Sequence, residues 1–125
     1  MRLLLDTQIV YWSNYEPEKL PRKAREMILA ADANYVSAAT IWEMAIKVKL
    51  GKLKADPERI LAAFEASGSI ELPVLSRHAA KVATLPLYHG DPFDRMLVAQ
   101  AMSEQMRLLT TDLKLPQYSD LVVCV

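Results

Sequence analysis

The chain has 125 residues, 52% of them hydrophobic, with 15 basic and 15 acidic side chains and zero formal net charge. That length fits a single domain over 1–125 with a sizeable core, the hydrophobic share excludes a disordered segment, and the even charge argues against gripping nucleic acid by bulk electrostatics. Cys124 has no partner for an internal disulfide, no apolar run reaches the ~18 residues of a bilayer span, and Asp6 cuts short the signal-like start after three leucines, so a reduced cytoplasmic setting is expected.

Leu3-Leu4-Leu5, followed by Asp6-Thr7, reads as a short buried strand with an acid at its carboxyl end, where sites of open α/β sheets gather. Asp6 or Thr7 equally suits the cap of the helical turn containing Ile9, Val10 and Trp12. Pro21 opens a helix over 21–33, with Ala24, Met27, Ile28 and Ala31 at helical spacing and Arg22, Lys23 and Arg25 on a solvated face. Residues 34–37 form a second strand, and Ser37 suits the cap of a helix over 38–49. There Ile41, Trp42, Met44, Ala45, Ile46 and Val48 cover most of the surface, with Glu43 set among them. A pair with Lys47 one turn on explains an exposed glutamate well and a half-buried one poorly. Lys47, Lys49, Lys52 and Lys54 cluster around Gly51, as a solvated helix end or as a phosphate-contact patch.

Asp56-Pro57 opens a helix over 56–67 that buries Ile60, Leu61 and Phe64 and stops at Gly68. A third strand over 70–75 contains Pro73, which implies a sheet edge. Ser76 caps a short helix over 77–84, whose His78 among alanines reads as structural. Asp91 and Pro92 suit the cap and first position of the next helix. Its Met96, Leu97, Val98, Ala99, Ala101 and Met102 mark it as deeply packed. Asp94, in the first turn, shares a face with Leu97 and Val98, where a carboxylate is costly unless something receives it. It either serves the helix dipole and the cap or belongs to a site. Residues 106–111 make a fourth strand with Asp112 at its carboxyl end, and 121–125 make the last. The alternation predicts an α/β fold, a three-layer α/β/α sandwich around a central parallel sheet of four to five short strands.

Asp6, Glu43, Asp94 and Asp112 therefore stand where such a fold can bring them to one edge of its sheet. Carboxylates that close raise one another's pKa unless a cation sits among them. With oxygen ligands and no Cys or His cluster, that cation is hard, Mg²⁺ with Mn²⁺ as substitute, and such sites perform phosphoryl chemistry.

Asp6-Thr7, the segment 36–47 (Val-Ser-Ala-Ala-Thr-Ile-Trp-Glu-Met-Ala-Ile-Lys), the segment 89–101 (His-Gly-Asp-Pro-Phe-Asp-Arg-Met-Leu-Val-Ala-Gln-Ala) and Leu108-Leu109-Thr110-Thr111-Asp112 resemble, in order, the motifs of PIN-domain nucleases. The likeness is strongest to the VapC-type toxins of bacterial toxin–antitoxin pairs, and Asp-Pro-Phe-Asp-Arg is its most specific part. The resemblance implies a metal-dependent endoribonuclease, with Asp6, Glu43, Asp94 and Asp112 where the family keeps its acidic ligands. It also implies an RNA substrate, a cognate antitoxin that silences the enzyme, and a homodimer. Relatives often carry His two residues after the first Asp, where this chain has Gln8. Asp6 and Asp94 are expected as main metal ligands, Asp112 as completing the shell, and Glu43 as holding a second ion or orienting the attacking water. Thr7 and Thr110 could position waters or carboxylates, His89 could approach substrate, and Arg95 could meet phosphate or pair with an acid. Two alternatives remain: a catalytically inactive PIN-like module that binds RNA or protein, and a receiver-like phosphoacceptor domain. The latter also wants an acid pair near the chain start and a lysine beyond the last strand.

Overall fold

In a computed structural model, which describes residues 1–125, Leu3-Leu4-Leu5 is the middle of a sheet. The strands β1 (Arg2–Leu5), β2 (Ala33–Ser37), β3 (Ile70–Leu72), β4 (Arg107–Thr110) and β5 (Val122–Cys124) are all parallel, in the order β3-β2-β1-β4-β5. Successive side chains of a strand point to opposite faces. Leu3 and Leu5 accordingly pack with Ile9, Val10, Ala24, Met44, Ile60 and Phe64. Leu4 packs on the other face with Leu97, Val98, Ala101 and Leu115. Both faces are covered, which is why the strand is apolar without alternation. Each leucine removed from water there contributes about 2 kcal/mol. The helices α1 (Thr7–Tyr15), α2 (Arg22–Ala30), α3 (Ala38–Lys49), α4 (Pro57–Ser67), α5 (Ser76–Val82) and α6 (Pro92–Glu104) complete the expected α/β/α sandwich.

Several boundaries differ from the sequence reading, each for a local reason. The turn after Asp6 extends into the nine-residue α1. Helix α2 stops at Ala30 because Ala33 already pairs with Arg2 in the sheet. Strand β3 is an edge strand, as Pro73 implied, and it ends at Leu72 because proline has no N–H to continue the ladder. Ser76 lies inside α5 and Leu75 takes the cap position, its N–H donating to Nδ1 of His78 at 3.0 Å. His78 is fully buried, with Nε2 3.2 Å from Oε2 of Glu104, a structural residue as expected. Trp42 leaves the packed side of α3, 64% exposed, and meets the Phe93 ring edge-on.

The order of strands sets the place of the site. From β1 the chain steps outward to β2 and β3, then returns through α5 and α6 to β4 on the other side of β1. Where the winding reverses, a crevice opens beyond the carboxyl ends of the strands. Asp6 follows β1 there and Asp112 follows β4, and the Asp6 N–H donates to the Leu109 carbonyl at 3.0 Å.

Candidate active site

The crevice is a cavity of about 550 Å³ that Asp6, Glu43, Asp94 and Asp112 all line. Asp6 both caps a helix and lines the cavity. Its Oδ1 accepts the Ile9 N–H at 2.9 Å and so starts α1, while its Oδ2 accepts the Thr110 hydroxyl. The Thr110 oxygen also accepts the Asp112 N–H at 3.0 Å, which ties the ends of β1 and β4 together. Burial pushes the Asp6 carboxyl above its ordinary pKa, and its bonds from Thr110 and Ile9 oppose the rise.

Glu43 is 4% exposed and held at both oxygens. The Thr7 hydroxyl donates to Oε1 at 2.7 Å and the Lys47 ammonium to Oε2 at 2.6 Å. The pair one helical turn apart therefore exists, but its carboxylate end is buried at the cavity. The Glu43 bond holds the Lys47 ammonium above its ordinary pKa. Of the four clustered lysines, Lys47 alone lines the cavity, and Lys49, Lys52 and Lys54 lie on the exposed surface.

Asp94 does not reach back to the cap, because Asp91 already accepts the Phe93 and Asp94 N–H groups at 2.8 and 3.0 Å. Its Oδ2 instead lies 2.8 Å from Nε2 of His89. Burial is the main cause that pushes its pKa up to about 6; the His89 bond opposes the rise, and Asp91, Glu43 and Asp6 add to it. Asp112 accepts the Lys114 N–H at Oδ1 and turns Oδ2 to within 3.6 Å of the same His89 nitrogen. Ligand atoms of His89, Asp94 and Asp112 lie within 4.8 Å of one another. Asp94 and Asp112 line the cavity with Asp6 and Glu43, which are engaged by their own hydrogen bonds, and His89 approaches the two aspartates from outside the lining.

Arg95 departs from the sequence reading. It meets no acid and does not line the cavity. At 9% exposure, it donates to the carbonyls of Val82, Leu85, Pro86 and His89 and to the Tyr118 hydroxyl. A buried guanidinium with five N–H groups is satisfied here by carbonyls at the end of α5 and in the irregular segment that follows it. Gln8 also lines the cavity.

Six acids but only two lysines, Lys19 and Lys47, line this space, and Lys19 pairs with Glu16. That excess of negative oxygen donors fits a hard divalent cation.

The sequence pattern of the PIN domain matches residues 3–121. Ribonuclease VapC22 of Mycobacterium tuberculosis is 32% identical over 124 residues, which cover 90% of this chain and 88% of that protein. Among solved structures, VapBC2 from Rickettsia felis, bound to a DNA fragment from their promoter, aligns with a TM-score of 0.73 at 17% identity, covering 98% of this chain and 96% of that one. DNA-bound VapBC from Salmonella typhimurium aligns with a TM-score of 0.69 at 19% identity, covering 100% of this chain and 97% of that one. By its sequence pattern, its relative and its fold, the chain belongs to the PIN-domain family.

Proposed function

We propose that the chain is a divalent-metal-dependent endoribonuclease, the toxin of a toxin–antitoxin pair. One observation carries the reading: carboxylates from β1, α3, α6 and the end of β4 line a single cavity at the point where the sheet reverses its winding. The name of the ribonuclease relative and the toxin–antitoxin complexes among the structural neighbours support it.

Asp6, Asp94 and Asp112 are the residues that would hold Mg²⁺ or Mn²⁺. The ion, when bound, polarises the phosphate and lowers the pKa of a bound water. Thr110 keeps the Asp6 carboxylate turned to the cavity and, through the Asp112 N–H, holds the two acids in register. Glu43, fixed by Thr7 and Lys47, orients the attacking water and accepts its proton. In-line attack on an RNA phosphodiester then leaves a 5′-phosphate and a 3′-hydroxyl. A cognate antitoxin that covers the cavity, a homodimer and a cytoplasmic location complete the proposal. The test is cleavage of total RNA with Mg²⁺ or Mn²⁺ by protein free of host nuclease. Cleavage that Asp94→Asn abolishes supports the reading, and full activity in that variant refutes it.

A further inference from the structure

Between α5 and α6 the chain has neither helix nor strand, so His89 needs outside support to hold one position. Arg95 and Tyr118 supply it. The Tyr118 hydroxyl accepts the His89 N–H at 3.0 Å and lies 3.3 Å from the His89 carbonyl, which Arg95 also reaches at 3.4 Å. Arg95 donates to that hydroxyl at 3.1 Å and closes the clamp. With its backbone pinned on both sides, His89 directs Nε2 to 2.8 Å from Oδ2 of Asp94 and 3.6 Å from Oδ2 of Asp112. Adjacent ligands of one octahedral ion, with bonds of about 2.1 Å, are separated by roughly 3 Å, and opposite ones by roughly 4.2 Å. The 2.8 Å separation matches adjacent ligands and the 3.6 Å one lies between the adjacent and opposite values, so a small side-chain adjustment brings the three atoms into one coordination shell. An imidazole serving Asp94 alone has no reason to approach the second carboxylate as well.

We propose that His89 contributes Nε2 as a ligand to the divalent ion held by Asp94 and Asp112, with Arg95 and Tyr118 as its positioning residues. The proposal rests on the metal-dependent reading above and adds a nitrogen to a set of oxygens. Imidazole favours transition metals over magnesium, so the site prefers Mn²⁺ to Mg²⁺ more strongly than carboxylates alone would make it.

The full chain loaded with Mn²⁺ tests this by pulsed electron paramagnetic resonance. The wild type is expected to show nitrogen coupling from a directly bound imidazole, and His89→Gln to lose it. The chain has only two histidines, and the buried His78 remains in that variant as an internal control. By calorimetry, His89→Gln weakens Mn²⁺ binding by about tenfold or more and Mg²⁺ binding by less, and Tyr118→Phe gives a smaller loss in the same direction. A wild-type spectrum without nitrogen coupling overturns the proposal and leaves the nuclease reading standing if RNA is still cut. Coupling that persists in His89→Gln also overturns it. Failure to bind Mn²⁺ at all overturns both readings.

Discussion

Asp94→Asn separates what the site needs for chemistry from what the chain needs to fold. Burial and neighbouring acids raise the Asp94 pKa from 3.8 to about 6. That displacement corresponds to about 3 kcal/mol of cost to the ionised form in the folded chain. The side chain is 24% exposed, so solvent screens little of it. Asparagine keeps the shape and removes the charge, while weakening the His89 bond costs about 1 kcal/mol. The net expectation near neutral pH, with chelator present, is a variant about 2 kcal/mol more stable than the wild type. The sign of the pH dependence follows from the raised value. Between the two pKa values the folded chain binds the extra proton, so the wild type gains stability as pH falls through about 6, and the advantage of the variant disappears near pH 4. Urea denaturation at neutral pH and at about pH 4 measures both ends. Divalent metal reverses the ranking: at a hundredfold excess over Kd the wild type gains about 2.7 kcal/mol and the variant little. A variant less stable than the wild type at neutral pH without metal, or a gap that survives acidification, would refute the reasoning.

Three further outcomes are expected. Asp112→Asn lowers Mg²⁺-dependent cleavage of an oligoribonucleotide by about 100-fold with an unchanged circular dichroism spectrum, because it removes a ligand and no core packing. Arg95→Leu leaves loop carbonyls without a donor and costs about 3 kcal/mol by thermal melting, with faster amide exchange at His89. Lys47→Met strips the buried Glu43 carboxylate of its ion pair and costs about 1–2 kcal/mol in urea, since Lys47 is 45% exposed, whereas Lys47→Arg retains most of that stability.

Element order is legible in the sequence because helix starts carry their own caps. Asp6, Ser37, Asp56 and Asp91 each accept a main-chain N–H at the position their residue type suggests. The four acids stand out because each ends a strand or interrupts an apolar helix. The capping and pairing readings of Asp6 and Glu43 hold in the fold without removing either from the cavity: one carboxylate caps α1 while facing it, and the other pairs with Lys47 there. The roles of His89 and Arg95 are not legible. Their support comes from main-chain carbonyls of an irregular loop and from Tyr118, and such bonds leave no spacing to read. Trp42 misleads for the opposite reason, since helical spacing cannot tell a packed aromatic from one left at the surface.

β1 is synthesised first, yet its partner β4 and the hydroxyl that holds Asp6 arrive a separation of 104 residues later. Local helices can form as the chain emerges, but the pairing of β1 with β4 must wait for that distant segment. A nascent chain on the ribosome therefore carries Asp6, Glu43 and Asp94 without the strand that assembles them with Asp112. Any N-terminal fragment that stops short of β4 lacks both the central pairing partner of β1 and the Asp112 wall of the cavity.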